Sequence, residues 1–264
     1  MIFALFAVLS FPTMTPAEEL VQLSRELGRE DRHLAILGEG NTSHDLGDGT
    51  FLVKASGTSL GTLTTDGLSR VSHAKVDELL ARESITEQEI EDGLVACLAD
   101  PACKKPSVET FLHSLCLREP GVKWTGHTHT TSVLSILASI HGGQAFLRHV
   151  CPDAIVVCGR HVLTIPYINP GLDLAVAVRD GLAEFRAEHG KPPKVILMEN
   201  HGPVALGSSS KEVLNIMLML DKWARVLIGA FAVGGPTFLD EDDAAKIDSR
   251  LDEAYRRKMI EAKA

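Results

Sequence analysis

The segment PKVILMENHGPVALG, at 193–207, constrains the fold more than any other part of the chain. Two short apolar runs flank the turn residues Asn200, His201 and Gly202, which is the pattern of two buried strands joined by a tight turn. Strands joined by so short a connection run antiparallel. The segment therefore predicts an antiparallel pair inside a sheet, with a histidine at the turn.

Helical and strand patterns alternate along the rest of the chain. The clearest helix covers 16–27, where Thr15 is the predicted N-cap, Pro16 the first helical residue and Glu18 the partner in a capping box. Because strands and helices mix and some strands return as hairpins, we expect one α/β domain with a largely antiparallel or mixed sheet. Further strands are predicted at 33–37, 50–55, 121–129, 153–159 and 162–168, and further helices at 85–100, 107–119 (with Ser107 as N-cap), 131–140, 171–190, 210–235 and 242–264.

The composition of the chain limits which partners it can bind and in which cellular compartment we expect it. The chain has 264 residues, of which 45% are hydrophobic, enough for a sizeable core. A formal net charge of -9 without any basic run argues against nucleic acid as a partner. The five cysteines are odd in number and contain no Cys-x-x-Cys pair. This pattern argues against a disulfide framework or a cysteine zinc site and indicates a reducing cytoplasm.

The first 13 residues form an apolar N-terminal extension with several interpretations. Its core, MIFALFAVLSF, is too short to span a bilayer. No Lys or Arg precedes it, although a secretory signal normally begins with a charged region. Met14 offers a second start directly before the predicted capping box. The segment is thus an extension, a start assigned too early or an atypical signal, and we expect a protein without a membrane span.

The motif GHTH places His127 and His129 two positions apart near the end of a predicted strand. Alternate residues of a strand face the same side, where two neutral imidazoles form half of a metal site. His201 supplies a third nitrogen, and Glu109, in the first turn of a predicted helix, supplies a carboxylate ligand or general base. Three nitrogens leave a position open on zinc, as catalytic sites do. The plainer alternatives are a polar strand face and an ordinary first-turn glutamate.

Two small-residue loops, GEGNTS at 38–43 and KASGTSLG at 54–61, each follow a predicted strand. Such loops expose backbone N–H groups and hydroxyls to an anion, and Lys54 lies between them. The alternative is that both are ordinary turns, since Gly, Asn and Ser dominate turns. The residues expected to cradle a phosphate or carboxylate are Gly40, Asn41, Ser56, Gly57 and Ser107.

Five motifs, GEGNTS, KASGTSL, PSVE, GHTH and ENHGPVALG, occur in an order and spacing that resemble the class II aldolase/adducin family. The resemblance covers roughly residues 16–235 and looks closest to the aldolase branch of rhamnose-utilisation proteins. It implies a single α/β/α domain, at 14–240, around a central, mainly antiparallel sheet. A charged C-terminal helix at 241–264 follows, which we expect at a subunit interface of a ring-shaped homotetramer.

The resemblance also implies a site and an activity. It assigns a divalent metal, commonly zinc, to His127, His129 and His201 with Glu109, which is also the acid/base residue; manganese, cobalt, nickel or iron would suit the same ligands. Phosphate binding falls to the five loop residues named above. The implied function is a cytoplasmic lyase, an aldolase that cleaves a ketose or ketose phosphate through a metal-stabilised enediolate. Alternatives are an epimerase, decarboxylase or dehydratase on the same site, and an adducin-like interaction module without activity.

The sequence departs from the family pattern in two places. Val108 stands where the fuculose-phosphate aldolases have a second serine before the glutamate, which removes one phosphate hydroxyl. The tyrosine that a neighbouring subunit supplies in that branch to protonate the leaving aldehyde has no counterpart at its usual position. His149, Asp153 and Tyr255 are the candidate substitutes, and the plainer interpretation of each is a polar residue that faces solvent without a role in the reaction.

Overall fold

A computed structural model describes residues 14–82 and 86–250 of the chain. The predicted extension at 1–13, Ile85 of the predicted helix 85–100, and the segment 251–264 with Tyr255 lie outside the described residues. Within the described ranges, no helix is both long enough and apolar enough to cross a bilayer.

One seven-stranded sheet organises the described residues, with the strand order β3-β2-β1-β4-β7-β6-β5. All neighbouring strands are antiparallel except the β5–β6 pair, which is parallel. The mainly antiparallel sheet predicted from the sequence is therefore confirmed. The strands are β1 (Asn41–Asp45), β2 (Thr50–Lys54), β3 (Leu68–Ser72), β4 (Trp124–His127), β5 (Leu163–Ile165), β6 (Val195–Met198) and β7 (Gly202–Gly207).

Helices cover both faces of this sheet. In β6, Val195 and Leu197 join the apolar cluster of one face, whereas Ile196 and Met198 join the cluster of the other. This alternation follows from the two-residue period of a strand and makes the sheet the middle layer of an α/β/α arrangement. The helices are α1 (Pro16–Leu27), α2 (His73–Leu80), α3 (Glu87–Ala96), α4 (Thr110–Leu117), α5 (Thr131–Leu137), α6 (Pro152–Cys158), α7 (Leu172–His189), α8 (Ser210–Ala232) and α9 (Glu241–Ser249).

The two layers contain different helices. Helices α1, α5, α6 and α8 pack with the cluster that includes Leu20, Val133, Ala154 and Trp223. Helices α4 and α7 contribute Leu112 and Val178 to the opposite cluster. The N-terminus of α1 has the predicted capping box, in which the Thr15 hydroxyl accepts from the Glu18 N–H and the Glu18 carboxylate accepts from the Thr15 N–H.

Two strand predictions are wrong. The run predicted as a strand at 153–159 is helix α6, which begins at Pro152 and packs on α8. A short apolar run does not distinguish a strand from a buried helix. The run at 33–37 forms no strand; His33 and Leu37 have φ values of 55° and 50°, which an extended chain does not adopt. The strand begins instead at Asn41.

The start of α4 also differs from its prediction. Its N-cap is Glu109, not Ser107, and the helix begins at Thr110. Ser107 instead opens a turn in which its hydroxyl accepts from the Glu109 N–H at 3.3 Å and its carbonyl accepts from the Thr110 N–H at 3.0 Å. Glu109 therefore occupies the junction between turn and helix.

Candidate metal centre

Three elements bring the predicted ligands to one edge of the sheet. His127 ends β4, His129 lies two residues beyond it, and His201 directly precedes β7. Because β4 and β7 pair antiparallel, with His127 opposite Val204, the end of one strand meets the beginning of the other. Glu109 approaches the same edge from the start of α4.

The ligand atoms of these four residues converge. The Glu109 Oε1 atom lies 3.1 Å from the Nε2 atom of His201 and 3.4 Å from the Nε2 atom of His127. The Nε2 atoms of His127 and His129 are 3.1 Å apart. One ligand atom from each of the four residues lies within 4.8 Å of every other. Three imidazole nitrogens and one carboxylate oxygen form a donor set that fits a divalent metal such as zinc.

The outward-facing ring nitrogens have unequal partners. His127 Nδ1 donates to the Pro203 carbonyl at 3.0 Å, which leaves the Nε2 lone pair directed into the centre. His129 Nδ1 lies 3.8 Å from the Glu39 carboxylate. His201 Nδ1 is buried without a hydrogen-bond partner among the described residues. The ring of His127 is thus the most firmly oriented of the three.

Burial and mutual contact perturb the titration of the centre. Burial by itself would raise the pKa of Glu109, but His127 and His201 outweigh it and hold that pKa well below its ordinary value. Burial also opposes protonation of His127, yet Glu109 raises its pKa. Burial and the neighbouring His127 and His201 lower the pKa of His129 to about 4. The Glu109 carboxylate and the His127 imidazole thus stabilise each other's charged forms, and a divalent cation can take the place of the imidazole proton.

Close packing of the backbone holds the segments that contain His129 and His201 next to each other. Asn200 has a φ of 53°, in the left-handed region, and this conformation turns the chain so that His201 faces the centre. A Cβ atom on Gly202 would lie 2.3 Å from the Thr128 carbonyl oxygen. A side chain at Gly202 would therefore force apart the two segments that hold His129 and His201.

Three of the five predicted anion-binding residues contact the centre. Asn41 Nδ2 donates to Glu109 Oε2, and Ser107 accepts from the Glu109 N–H. Gly40, with a φ of 70°, packs so closely on the His127 carbonyl that a Cβ atom there would lie 2.6 Å from its oxygen. These contacts place the loop GEGNTS beside the ligands.

The other two predicted residues lie in the turn after β2. Ser56 N–H donates to the Lys105 carbonyl, and Gly57 has a φ of 74°. Lys54 is only 2% exposed and links the two loops, because its ammonium donates to the Thr58 carbonyl at 2.7 Å and to the Gly38 carbonyl at 3.4 Å. Burial lowers the pKa of Lys54, whereas Glu109 acts in the opposite direction.

The sequence analysis missed two groups beside the centre. Glu39, between two glycines, lies next to His129 and lines a cavity of about 290 Å³ together with His33, Thr131 and Ser135. His113 lies on α4 one turn after Glu109 and is completely buried. Its spacing of four residues from Glu109 was the available signal, since residues four apart share a helix face.

Two of the candidate substitutes for the missing tyrosine lie at and just before helix α6. His149 is 3% exposed, its Nε2 donates to the Arg160 carbonyl, and its ring stacks on Trp223 with centroids 4.6 Å apart. Trp223 belongs to the α8 layer, whereas Glu109 begins helix α4 on the opposite face. Asp153 lies in the first turn of α6, 3.8 Å from Lys222. His149 is therefore buried within its own chain, a role of His149 or Asp153 at a neighbouring subunit's site stays a prediction, and Tyr255 falls outside the described residues.

Comparisons with known proteins agree with this fold. The family model described as "Class II Aldolase and Adducin N-terminal domain" matches residues 18–228. A 3-oxo-tetronate 4-phosphate decarboxylase from Escherichia coli K12 is 30% identical over 199 residues, which cover 74% of this chain and 79% of that protein. An uncharacterised oxidoreductase of Bacillus subtilis, YuxG, is 29% identical over 202 residues; the matched region is 74% of this chain but only 27% of that relative.

Solved structures match with a similar extent. YgbL from Klebsiella pneumoniae, described as a putative aldolase/epimerase/decarboxylase, has a TM-score of 0.65 and 27% identity, covering 88% of this chain and 96% of that one. The class II aldolase domain of a Thermoplasma acidophilum protein also has a TM-score of 0.65, with 26% identity and coverage of 83% and 96%. An L-fuculose 1-phosphate aldolase has a TM-score of 0.67 and 16% identity, over 91% and 95% of the two chains, and supports the fold alone.

Proposed function

The chain belongs to the class II aldolase and adducin family, and from this premise we propose that it is a metal-dependent carbon–carbon lyase, an aldolase for a ketose or ketose phosphate. One observation carries the proposal: three Nε2 atoms and the Glu109 Oε1 atom converge on one point. An adducin-like interaction module has no need for such a buried donor set. We therefore assign the metal ligands to His127, His129, His201 and Glu109.

A divalent metal, when bound, supplies positive charge that stabilises the negative charge developing on the substrate oxygen beside the breaking bond. Glu109 is suited to move a proton at the adjacent carbon, because its Oε2 is held by Asn41 while its Oε1 faces the centre. Its lowered pKa keeps it ionised at neutral pH, and so it begins as an acceptor. His127 is fully buried and helps to exclude water from this point.

The surroundings of the centre suggest how a substrate binds. We expect the loop around Gly40 to offer N–H groups to a phosphate or carboxylate, while the buried Lys54 ammonium, which donates to the Gly38 carbonyl, adds positive charge nearby. On the side of His129, the cavity of about 290 Å³ is lined by the polar side chains of Glu39, Thr131 and Ser135. A small substrate with one anionic end and several hydroxyls would fit: the anion would bind at the Gly40 loop, and the hydroxyls would contact the polar side chains of the cavity.

A second candidate reaction is decarboxylation of a phosphorylated 3-oxo acid. It is favoured by the Escherichia coli relative and by a second 3-oxo-tetronate 4-phosphate decarboxylase, from Pectobacterium atrosepticum, which is 28% identical over 82% of this chain and 85% of that protein. Loss of CO2 leaves an electron pair on the carbon next to the carbonyl, as aldol cleavage does, and a proton must then be delivered there. Aldol cleavage additionally needs a group that takes the proton of the hydroxyl that becomes the aldehyde, which is the reverse of the protonation assigned above to the missing tyrosine. His149, one candidate for that role, lies in the core.

The two reactions release different products, and one experiment separates them. The Zn²⁺-loaded protein is incubated with ketoses, ketose phosphates and phosphorylated 3-oxo acids while aldehyde and CO2 are both measured. We expect one product class, and a fall in kcat of about 10²–10⁴-fold in Glu109→Gln. Glu188→Gln, on the exposed end of α7, is the matched control and keeps wild-type activity. Full activity in Glu109→Gln, or neither product from the loaded wild type, would contradict the proposal.

Several sequence-based assignments stay predictions. These are zinc as the native metal, the ring-shaped homotetramer and the cytoplasmic location. Metal analysis of protein purified without chelators tests the first, and light scattering of the same sample tests the second. Epimerase and dehydratase activities are tested by following substrate consumption that yields neither aldehyde nor CO2.

A further inference from the structure

Strands β1 and β4 present two polar pairs to helix α4. Asn41 lies opposite His127 in their antiparallel register, and Ser43 lies opposite Thr125. Each pair is separated from the other by two residues on both strands, so both pairs face the same side of the sheet. All four side chains are buried. The upper pair, Asn41 and His127, belongs to the candidate metal centre, whereas the lower pair has no part in it.

Helix α4 repeats this two-level arrangement. Glu109 and His113 are four residues apart, one helical turn, and the His113 N–H donates to the Glu109 carbonyl at 3.1 Å. Glu109 contacts the upper pair, through Asn41 and His127. His113 contacts the lower pair: its Nδ1 lies 2.7 Å from Ser43 Oγ and 2.8 Å from Thr125 Oγ1. Each turn of the helix is therefore matched to one residue pair of the sheet.

The lower contact is a closed triangle of polar atoms, because the hydroxyls of Ser43 and Thr125 also bond to each other. His113 Nε2 has no hydrogen-bond partner among the described residues. A buried acceptor without a partner is tolerated better than a buried donor, which favours the proton on Nδ1. Burial lowers the pKa of His113 to about 3, and so the ring is neutral. An apolar side chain would pack here without this directional constraint.

We propose that His113 is a positioning residue: its hydrogen bonds to Ser43 and Thr125 fix the height and rotation of α4 against β1 and β4, and thereby hold the Glu109 carboxylate at the metal ligands. The inference rests on the proposed function, because it assigns the purpose of the triangle to that centre. Groups that orient a ligand commonly govern metal affinity even without touching the metal.

The neighbouring residue on the same helix provides a matched control. Ser114 is also fully buried, and its hydroxyl bonds to His73 Nδ1 at 2.8 Å, where α4 meets α2. This pair resembles the triangle in chemistry and burial. It links α4 to another helix, however, and not to the strands that carry Asn41 and His127.

The test uses the full chain with two substitutions that separate hydrogen bonding from packing. His113→Phe keeps a ring but removes the bonds, whereas His113→Asn keeps a donor at the Nδ1 position and leaves a cavity. Zn²⁺ affinity is measured by competition with a chromophoric chelator, and Tm is measured on the metal-free protein. We expect Zn²⁺ affinity to fall about 10–100-fold in His113→Phe and to stay within about threefold of wild type in His113→Asn. His113→Asn should have the lower Tm.

Ser114→Ala should lower Tm without changing Zn²⁺ affinity. Equal loss of affinity in Ser114→Ala and His113→Phe would mean that general packing of α4 is responsible, and would overturn the inference. So would wild-type affinity in His113→Phe, while the proposed function would stand. A wild-type chain that binds no Zn²⁺ would instead overturn the proposed function, and the inference with it.

Discussion

The two ends of the sheet hold buried charge in opposite ways. At the histidine end, formed by Glu109, His127, His129 and His201, one carboxylate faces three imidazoles. At the far end, where β7 finishes at Gly207, Lys194 and Glu212 line a cavity of about 460 Å³, larger than the one beside His129.

The charges of the far end are already balanced by the chain itself. Lys194 Nζ lies 2.6 Å from Glu212 Oε1, and Arg160 donates to Glu241 at 2.8 Å. Among the described residues, the carboxylate of the histidine end contacts the neutral Asn41 amide and titratable imidazoles, and no Lys or Arg is paired with it. Since a buried charge needs a partner, the histidine end calls for a cation and the far end does not. Donor chemistry, not cavity volume, therefore marks the candidate site.

The largest expected effect comes from removing a ligand at the histidine end. His201→Ala deletes one of three converging nitrogens, and we expect bound metal to fall from about one ion per chain to well under one. Metal content is measured by elemental analysis on protein purified without chelators. Glu212→Gln at the far end serves as the control and should keep its metal. Equal metal content in wild type and His201→Ala would contradict the assignment of the metal to the histidine end.

The second prediction asks whether the charge pair at the far end stabilises the fold. Glu212→Gln leaves Lys194 without its carboxylate and weakens the bonds to Ser208, and we expect the free energy of unfolding at pH 7 to fall by about 1–2 kcal/mol. Urea unfolding measures it. Burial by itself would raise the pKa of Glu212, but Lys194 and Ser208 outweigh it and lower that pKa.

This lowered pKa sets the pH dependence of the second effect. A carboxyl with a lower pKa in the folded than in the unfolded chain stabilises the fold above its unfolded value, and that stabilisation disappears as the pH falls through the folded value. The deficit of Glu212→Gln should thus be complete at neutral pH and shrink below roughly pH 4. A deficit of the same size at pH 7 and pH 3 would show that lost charge is not its cause.

The smallest effect concerns the turn that presents His201. Asn200 is exposed and has a φ of 53°, a conformation that asparagine tolerates and alanine resists. Asn200→Ala should lower the free energy of unfolding by about 0.5–1 kcal/mol, whereas Asn200→Gly should stay within about 0.5 kcal/mol of wild type. Chemical unfolding of the metal-free proteins measures both. A larger loss in the glycine variant than in the alanine variant would mean that the Asn200 side chain, not its backbone, matters.

Local signals were predicted well from the sequence. The capping box of α1 depends only on Thr15, Pro16 and Glu18, which are neighbours in the chain. The antiparallel pair around Asn200 was likewise predicted, because its two strands are separated by a short turn. Strand predictions failed for short apolar runs, because such a run fits a buried strand and a buried helix equally well. The run at 153–159 became α6 because its apolar residues could pack on α8, information absent from the run itself.

The sequence by itself determined which residue types are available for the centre: two histidines two apart, a third at a turn and a glutamate before a helix. Only the tertiary structure decided that their ligand atoms meet, because the β4–β7 pairing and the start of α4 bring distant residues to one edge. It alone also joined Ser43, His113 and Thr125. Those residues are far apart in the chain and become neighbours only through strand register and helical periodicity, neither of which a local pattern specifies.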